Sequence, residues 1–301
     1  MSSRPESLSV KMPPVTEPDF LYHYTDQSGL LGVVHNRELW ATKIHYMNDA
    51  TEFSIIFELI TRRLDAEASK FRGLAKGPYL STADILKKFI DLIRNVHVCV
   101  ACFCKCGDLL SQWRGYSGAN GYGYSIRFNT KKLKEFADKA NFFLTQCIYD
   151  RTEQDRIVGE ICDHYLPKIE AETADPTGLM REFTTKIIKY GAYFKHPAFS
   201  EEKEWRLISE PLDINDLHFR PGRSMMIPYC KKIQFHESSL DTPIDHIWVG
   251  PCPHMDLSVE AVHTLLLREK IGNRKLLKPF EPGSGEVLPD VRRSEIPYRI
   301  W

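Results

Sequence analysis

Neither sign of charge is in excess. Lys plus Arg and Asp plus Glu both number 40 in 301 residues, so composition selects neither nucleic acid, an anionic membrane nor a cationic partner, and leaves only a local basic groove open. Long apolar runs are also missing. Nothing approaches the roughly 20 apolar residues of a membrane-spanning helix, and the opening MSSRPESLSVKMPPVTEP lacks the apolar centre of a secretory signal. The expectation is a soluble, cytoplasmic protein without a membrane partner. No internal repeat and no clear linker interrupts the chain, and neither G-K-[ST] nor an ordered G-x-G-x-x-G after a strand is present, which removes the common phosphate-loop readings.

What is there suffices for a large core: 43% of residues are apolar and 11% aromatic. The Pro- and Ser-rich residues 1–18 read as a flexible arm. Residues 19–301 read as a single catalytic-type domain, with helical insertions around 50–95 and 150–195. FLYHYT (20–25) predicts a strand, Asp26 or Ser28 a helix cap, and ELWAT (38–42) a second strand. Phe53, Ile56, Phe57, Ile60 and Leu64 form a helical stripe, with Asp49 and Glu52 as a capping box ahead of it. LSTADILKKFIDLIRN predicts another helix, and further stripes run through Ile157, Ile161 and Tyr165 and through Leu179, Phe183, Ile187 and Tyr190.

Strands are expected at VHVCVACFC, GYGYSIRF, EWRLIS and IDHIWVG, and on both sides of the Pro221-Gly222 turn. A final helix is expected with Ser258 as its cap. Strands at both ends with helices between them give an α+β fold: a mixed, largely antiparallel sheet, with room for splitting in two, and flanking helices.

Four groups of residues could carry chemistry. Cys99, Cys102, Cys104 and Cys106 read C-x-x-C-x-C-x-C, but 102, 104 and 106 alternate on one strand face with Cys99 opposite, and no second pair completes a ligand set. Buried reduced thiols without a metal are therefore expected. Asn48, Asp49 and Glu52 could contact a cation or a sugar, or simply cap the helix. Trp113, Tyr116, Tyr122 and Tyr124 among Gly115, Gly118, Gly121 and Gly123 suit either a turn into a strand or a platform for a ring-shaped ligand. Glu202, Glu204 and Arg206 share one face if the strand covers them, with Trp205 and Leu207 pointing inward. That face is either solvated or the lining of a cleft suited to stabilising a cationic intermediate.

Together these pieces resemble a bacterial family known as a domain of unknown function. Its marks are Tyr22-His23-Tyr24-Thr25, Leu39-Trp40-Ala41-Thr42, Met47-Asn48-Asp49 with Glu52, Trp113 with Tyr116, and Glu202 to Arg206, with Ile247–Pro251 and Ile296–Arg299 later. The opening also resembles that of ADP-ribosyltransferases. That resemblance implies NAD as substrate, His23 on its ribose with Tyr24, Thr25, Trp40 and Asn48 nearby, and Glu202 or Glu204 supporting an oxocarbenium-like transition state beside Arg206. It also implies an aromatic stacked on nicotinamide, for which Tyr46, Trp113 and Tyr116 all qualify. No metal is implied. The acceptor is an unidentified macromolecule, protein or nucleic acid, in the setting of a toxin or antiviral effector. An NAD glycohydrolase or nuclease, and a non-enzymatic nucleotide sensor, are the alternatives.

Overall fold

The computed structural model describes residues 8–47, 53–71, 88, 90, 96–116, 122–171, 176–222, 224–235, 242–271 and 291–297. The capping cluster Asn48, Asp49 and Glu52, most of the helix expected at 80–95, Gly118, Gly121 and Arg299 lie outside these residues.

Local sequence sets the first unit. β1 (Phe20–Thr25) ends at Asp26, whose carboxylate accepts the Gly29 N–H at 2.8 Å and so caps α1 (Gln27–Asn36). Arg37 then takes a left-handed conformation that turns the chain into β2 (Glu38–Lys43). Asp26→Ala leaves that N–H without its acceptor and is expected to cost about 1 kcal/mol, read as a lower denaturation midpoint in urea.

α2 (Ser54–Phe71) follows, then β3 (Cys99–Phe103), α3 (Leu110–Tyr116) and β4 (Tyr124–Asn129). α4 (Thr130–Lys139), started by the Asn129 side chain accepting the Lys132 N–H and burying Leu133, Phe136 and Ala137 on one face, and β5 (Phe142–Gln146) are additional to the elements expected above. The long helices α5 (Arg151–Ala171) and α6 (Thr177–Gly191) lead to a 3-10 turn (Pro197–Glu202) and β6 (Trp205–Ser209). The chain closes with the hairpin β7 (His218–Pro221) and β8 (Met226–Gln234), then β9 (Ile244–Val249), α7 (Met255–Arg268) and β10 (Val291–Arg293). α7 begins three residues before the expected Ser258 cap, since the Ser258 N–H already bonds the His254 carbonyl at 2.9 Å within the helix.

The fold is α+β with two largely antiparallel sheets, ordered β1-β4-β9-β10 and β5-β6-β3-β2-β8-β7. β10, added parallel to β9, is the exception among the strand pairs. One core lies between the sheets and under α1, α4 and α7, with Leu39, Phe103, Phe128, Trp205, Leu207 and Phe235 at its centre. A second core packs α2, α5 and α6 against the other face of the six-stranded sheet through Val100 and Ile208. Val10 is buried in this helical layer, with Leu8 and Met12 packed against it, so the expected flexible arm is tied down over that stretch. Tightness there is testable: a Cβ on Gly191 would lie 2.6 Å from Ile56 Cγ2. Gly191→Ala should therefore destabilise by about 1–3 kcal/mol in equilibrium denaturation.

Candidate functional site

Strand register decides which side chains meet. Thr42 pairs with Val100 and Val100 with Ile208, while Cys102 pairs with Arg206. On the other side Thr42 pairs with Tyr229, Tyr229 with His218, and Ile227 with Arg220. Because facing residues share a side and alternate residues repeat it, Arg220, Thr42, Cys102 and Arg206 stand on one face of the six-stranded sheet. The helical layer covers part of that face. The rest floors a cavity of about 590 Å³, within the range of small-molecule sites.

β1 and the start of α1 wall this cavity. The four-stranded sheet meets β3 where Tyr22 and Cys104 exchange backbone hydrogen bonds, both 2.9 Å. His23, next along, donates from Nδ1 to the Cys102 carbonyl at 2.8 Å, the tautomer that leaves Nε2 as an acceptor. Its ring lies 5.6 Å from that of Phe103. Burial keeps the imidazole below its ordinary value against the pull of that carbonyl, and the charge of Arg220 lowers it further. His23 is thus neutral near pH 7 and lines the cavity, as do Tyr24 and Thr25. Thr25 presses its hydroxyl on Gly29, where a Cβ would come within 1.9 Å of it.

The carboxylates converge from the opposite side. Lys203 takes a left-handed φ of 44° between the 3-10 turn and β6, so Glu202 and Glu204 both turn toward Lys195 instead of lying along one strand. Lys195 Nζ bonds Glu202 at 2.6 Å and also bonds Glu204, whose other oxygen accepts Arg206 Nε at 2.6 Å. The Tyr149 hydroxyl accepts the Glu204 N–H at 2.9 Å, and the Cys102 thiol donates to the Glu204 carboxylate.

These contacts separate the two acids. Burial alone raises the Glu204 carboxyl, but Arg206 and Lys195 outweigh it and hold the group at about 2. Glu202 is raised, because burial reinforced by the Glu204 charge exceeds the pull of Lys195. Glu204 is therefore a fixed anion and Glu202 the carboxylate readier to take a proton.

The structure corrects two expectations about these residues. Glu202 lies in the 3-10 turn and β6 starts at Trp205, so Glu202, Glu204 and Arg206 do not form a strand face. The solvated-face alternative also fails, since Arg206 is fully buried. Arg206 does not line the cavity; it bonds Glu204 and the Ala192 carbonyl, which makes it a positioning residue.

Among the aromatic candidates, Trp113 is excluded from ligand contact. It is buried edge-on against Tyr24, 4.7 Å between centroids, and its Nε1 donates to Asp108 at 2.6 Å. Trp40, Tyr46 and Tyr116 do line the cavity. Trp40 is anchored by Glu38 at 2.7 Å and packed on Tyr229, whereas Tyr46 is exposed. Burial, then Cys102 and the two carboxylates, pushes the Tyr116 hydroxyl well above its ordinary value, so it stays a proton donor.

Cys102 and Cys104 both line the cavity, with Cys99 in the core on the other side of β3, and Cys106 is exposed. Among the described residues no group of three or more His, Cys, Asp or Glu side chains is placed to hold a metal ion. No described helix is long and apolar enough to cross a membrane. Two cations of the site were missed in the sequence: Lys195, a lone lysine in YFKHP that bonds both carboxylates, and Arg220, one of two arginines in FRPGR, which lines the cavity. Nothing local marks either one, because each acquires its role from strands remote in the chain.

Residues 112–207 match a family described as "Protein of unknown function (DUF2971)". The span includes Trp113, Tyr116, Glu202, Glu204 and Arg206 and supports membership of a domain-of-unknown-function family, over less than half of the chain. No curated protein and no solved structure matches the chain.

Proposed function

We propose that this protein cleaves NAD at the nicotinamide N-glycosidic bond and transfers ADP-ribose to a macromolecular acceptor. One observation supports this above the others: His23, Glu202 and the aromatics Trp40, Tyr46 and Tyr116, far apart in sequence, line one cavity of about 590 Å³. The resemblance of the YHYT opening to ADP-ribosyltransferases gives His23 the ribose, Glu202 or Glu204 the cationic transition state, and Tyr46 or Tyr116, among its aromatic candidates, the nicotinamide ring.

Departure of nicotinamide takes the bonding electron pair with it and leaves positive charge on the ribose. A carboxylate at the cavity wall lowers the energy of that charge, more so where water is partly excluded. Glu202 is suited to this and, being raised, to accepting the proton that the acceptor nucleophile loses when its bond to C1′ forms. Glu204 and Arg206 act through Lys195, fixing the position of Glu202. His23 Nε2 is free to accept a ribose hydroxyl, and Trp40 or Tyr46 offers a face for the ring.

The test is incubation with NAD and a cell extract, following nicotinamide together with the fate of ADP-ribose. Nicotinamide release with label retained on a macromolecule is the expected result. Free ADP-ribose without a labelled target identifies a glycohydrolase instead, and no release by folded protein in any extract discards both.

A further inference from the structure

Arg220 stands apart from the cations behind the carboxylates. Lys195 and Arg206 are matched by Glu202 and Glu204. Arg220, by contrast, lines the cavity without a carboxylate partner among the described residues. Its Nη2 donates to the Thr42 hydroxyl at 3.2 Å, a neutral acceptor, and its Nε is shielded from solvent with no hydrogen-bond partner. Arg220 as a whole is half-buried at the cavity wall, and a guanidinium there with only a neutral acceptor suits a bound oxyanion, since its planar fork matches phosphate oxygens.

Position narrows the ligand further. Although Arg220 comes from the edge strand β7, its bond to Thr42 brings the guanidinium over β2. From there β6, which follows Glu204, is two strand steps away across β3, on the order of 10 Å. The cavity therefore has a neutralised acidic end at Glu202 and Glu204 and an uncompensated basic site on the same floor. We propose that Arg220, with Thr42 as its support, is the anchor for a phosphate group of a nucleotide ligand. This deepens the NAD reading by giving the ligand a direction, with phosphate at Arg220 and the glycosidic carbon at Glu202, and rests on it for the second half only.

Calorimetry at low ionic strength with ADP, adenosine and inorganic pyrophosphate tests the anchor on wild-type protein, Arg220→Gln and Arg220→Lys. Wild type should bind ADP about tenfold or more tightly than adenosine, and Arg220→Gln should abolish that difference while leaving adenosine binding unchanged. Arg220→Lys should restore it in part, through charge without the fork. Pyrophosphate binding as tight as ADP assigns the site to free phosphates instead of a nucleotide and overturns the proposal. So does ADP affinity indifferent to Arg220, or no binding of ADP by the folded wild type. The two readings fail separately: Arg220-dependent ADP binding without nicotinamide release discards the transferase and keeps the anchor, and release unaffected by Arg220→Gln does the reverse.

Discussion

Glu204→Gln is expected to destabilise the fold by about 3–5 kcal/mol, the usual penalty for breaking a buried ion pair by removing one partner. The fully buried Arg206 would lose its carboxylate and face a neutral amide, with the Ala192 carbonyl at 3.2 Å still accepting from it. Urea denaturation measures the loss directly. The double variant Glu204→Gln/Arg206→Leu should lose less than the sum of its two single changes, because the stranded guanidinium goes with its partner. Additive losses would mean that the pair is not coupled.

The same ion pairs predict acid sensitivity. The folded Glu204 carboxyl lies at about 2 against an ordinary 4.5. Its stabilising contribution is complete above the ordinary value and disappears as pH falls from about 4.5 toward 2. Denaturation midpoints across that interval should fall more steeply for wild type than for Glu204→Gln.

Glu202→Gln should have the opposite profile, with little change in stability and a large loss of activity. Its side chain is 20% exposed, and its removal leaves Lys195 bonded to Glu204. If Glu202 stabilises the ribosyl cation, nicotinamide release should fall by about 10²- to 10³-fold, the range seen when one electrostatic stabiliser is removed. In wild type the acid limb of the rate profile should sit above the ordinary carboxylate range, the direction in which burial and Glu204 push Glu202. Undiminished release by Glu202→Gln would remove the carboxylate from the mechanism.

Local order was largely legible in the chain. The strand-helix-strand opening, the stripes that became α2, α5 and α6, and the Pro221-Gly222 hairpin follow from periodicity and turn chemistry that act within a few residues. E-x-E-x-R misled for an equally local reason. Alternation assumes a continuous strand, and the left-handed Lys203 breaks it just before β6 begins. Trp113 misled because an aromatic beside glycines looks the same in sequence whether it faces a ligand or, as here, braces Tyr24 from behind.

The sequence by itself determined most of the element types, the largely antiparallel α+β class and a part of the cavity lining, His23 to Thr25, Trp40, Tyr116, Glu202 and Glu204 among it, since hydrophobic period and capping are properties of neighbours along the chain. Only the tertiary structure decided that Glu204 is a buried anion and Glu202 a raised carboxylate, and that Arg206 supports from behind. It also decided that Lys195 and Arg220 belong to the site. Those properties come from burial and from charges brought close by strand register between segments that are remote in sequence, and no spacing within one segment encodes them.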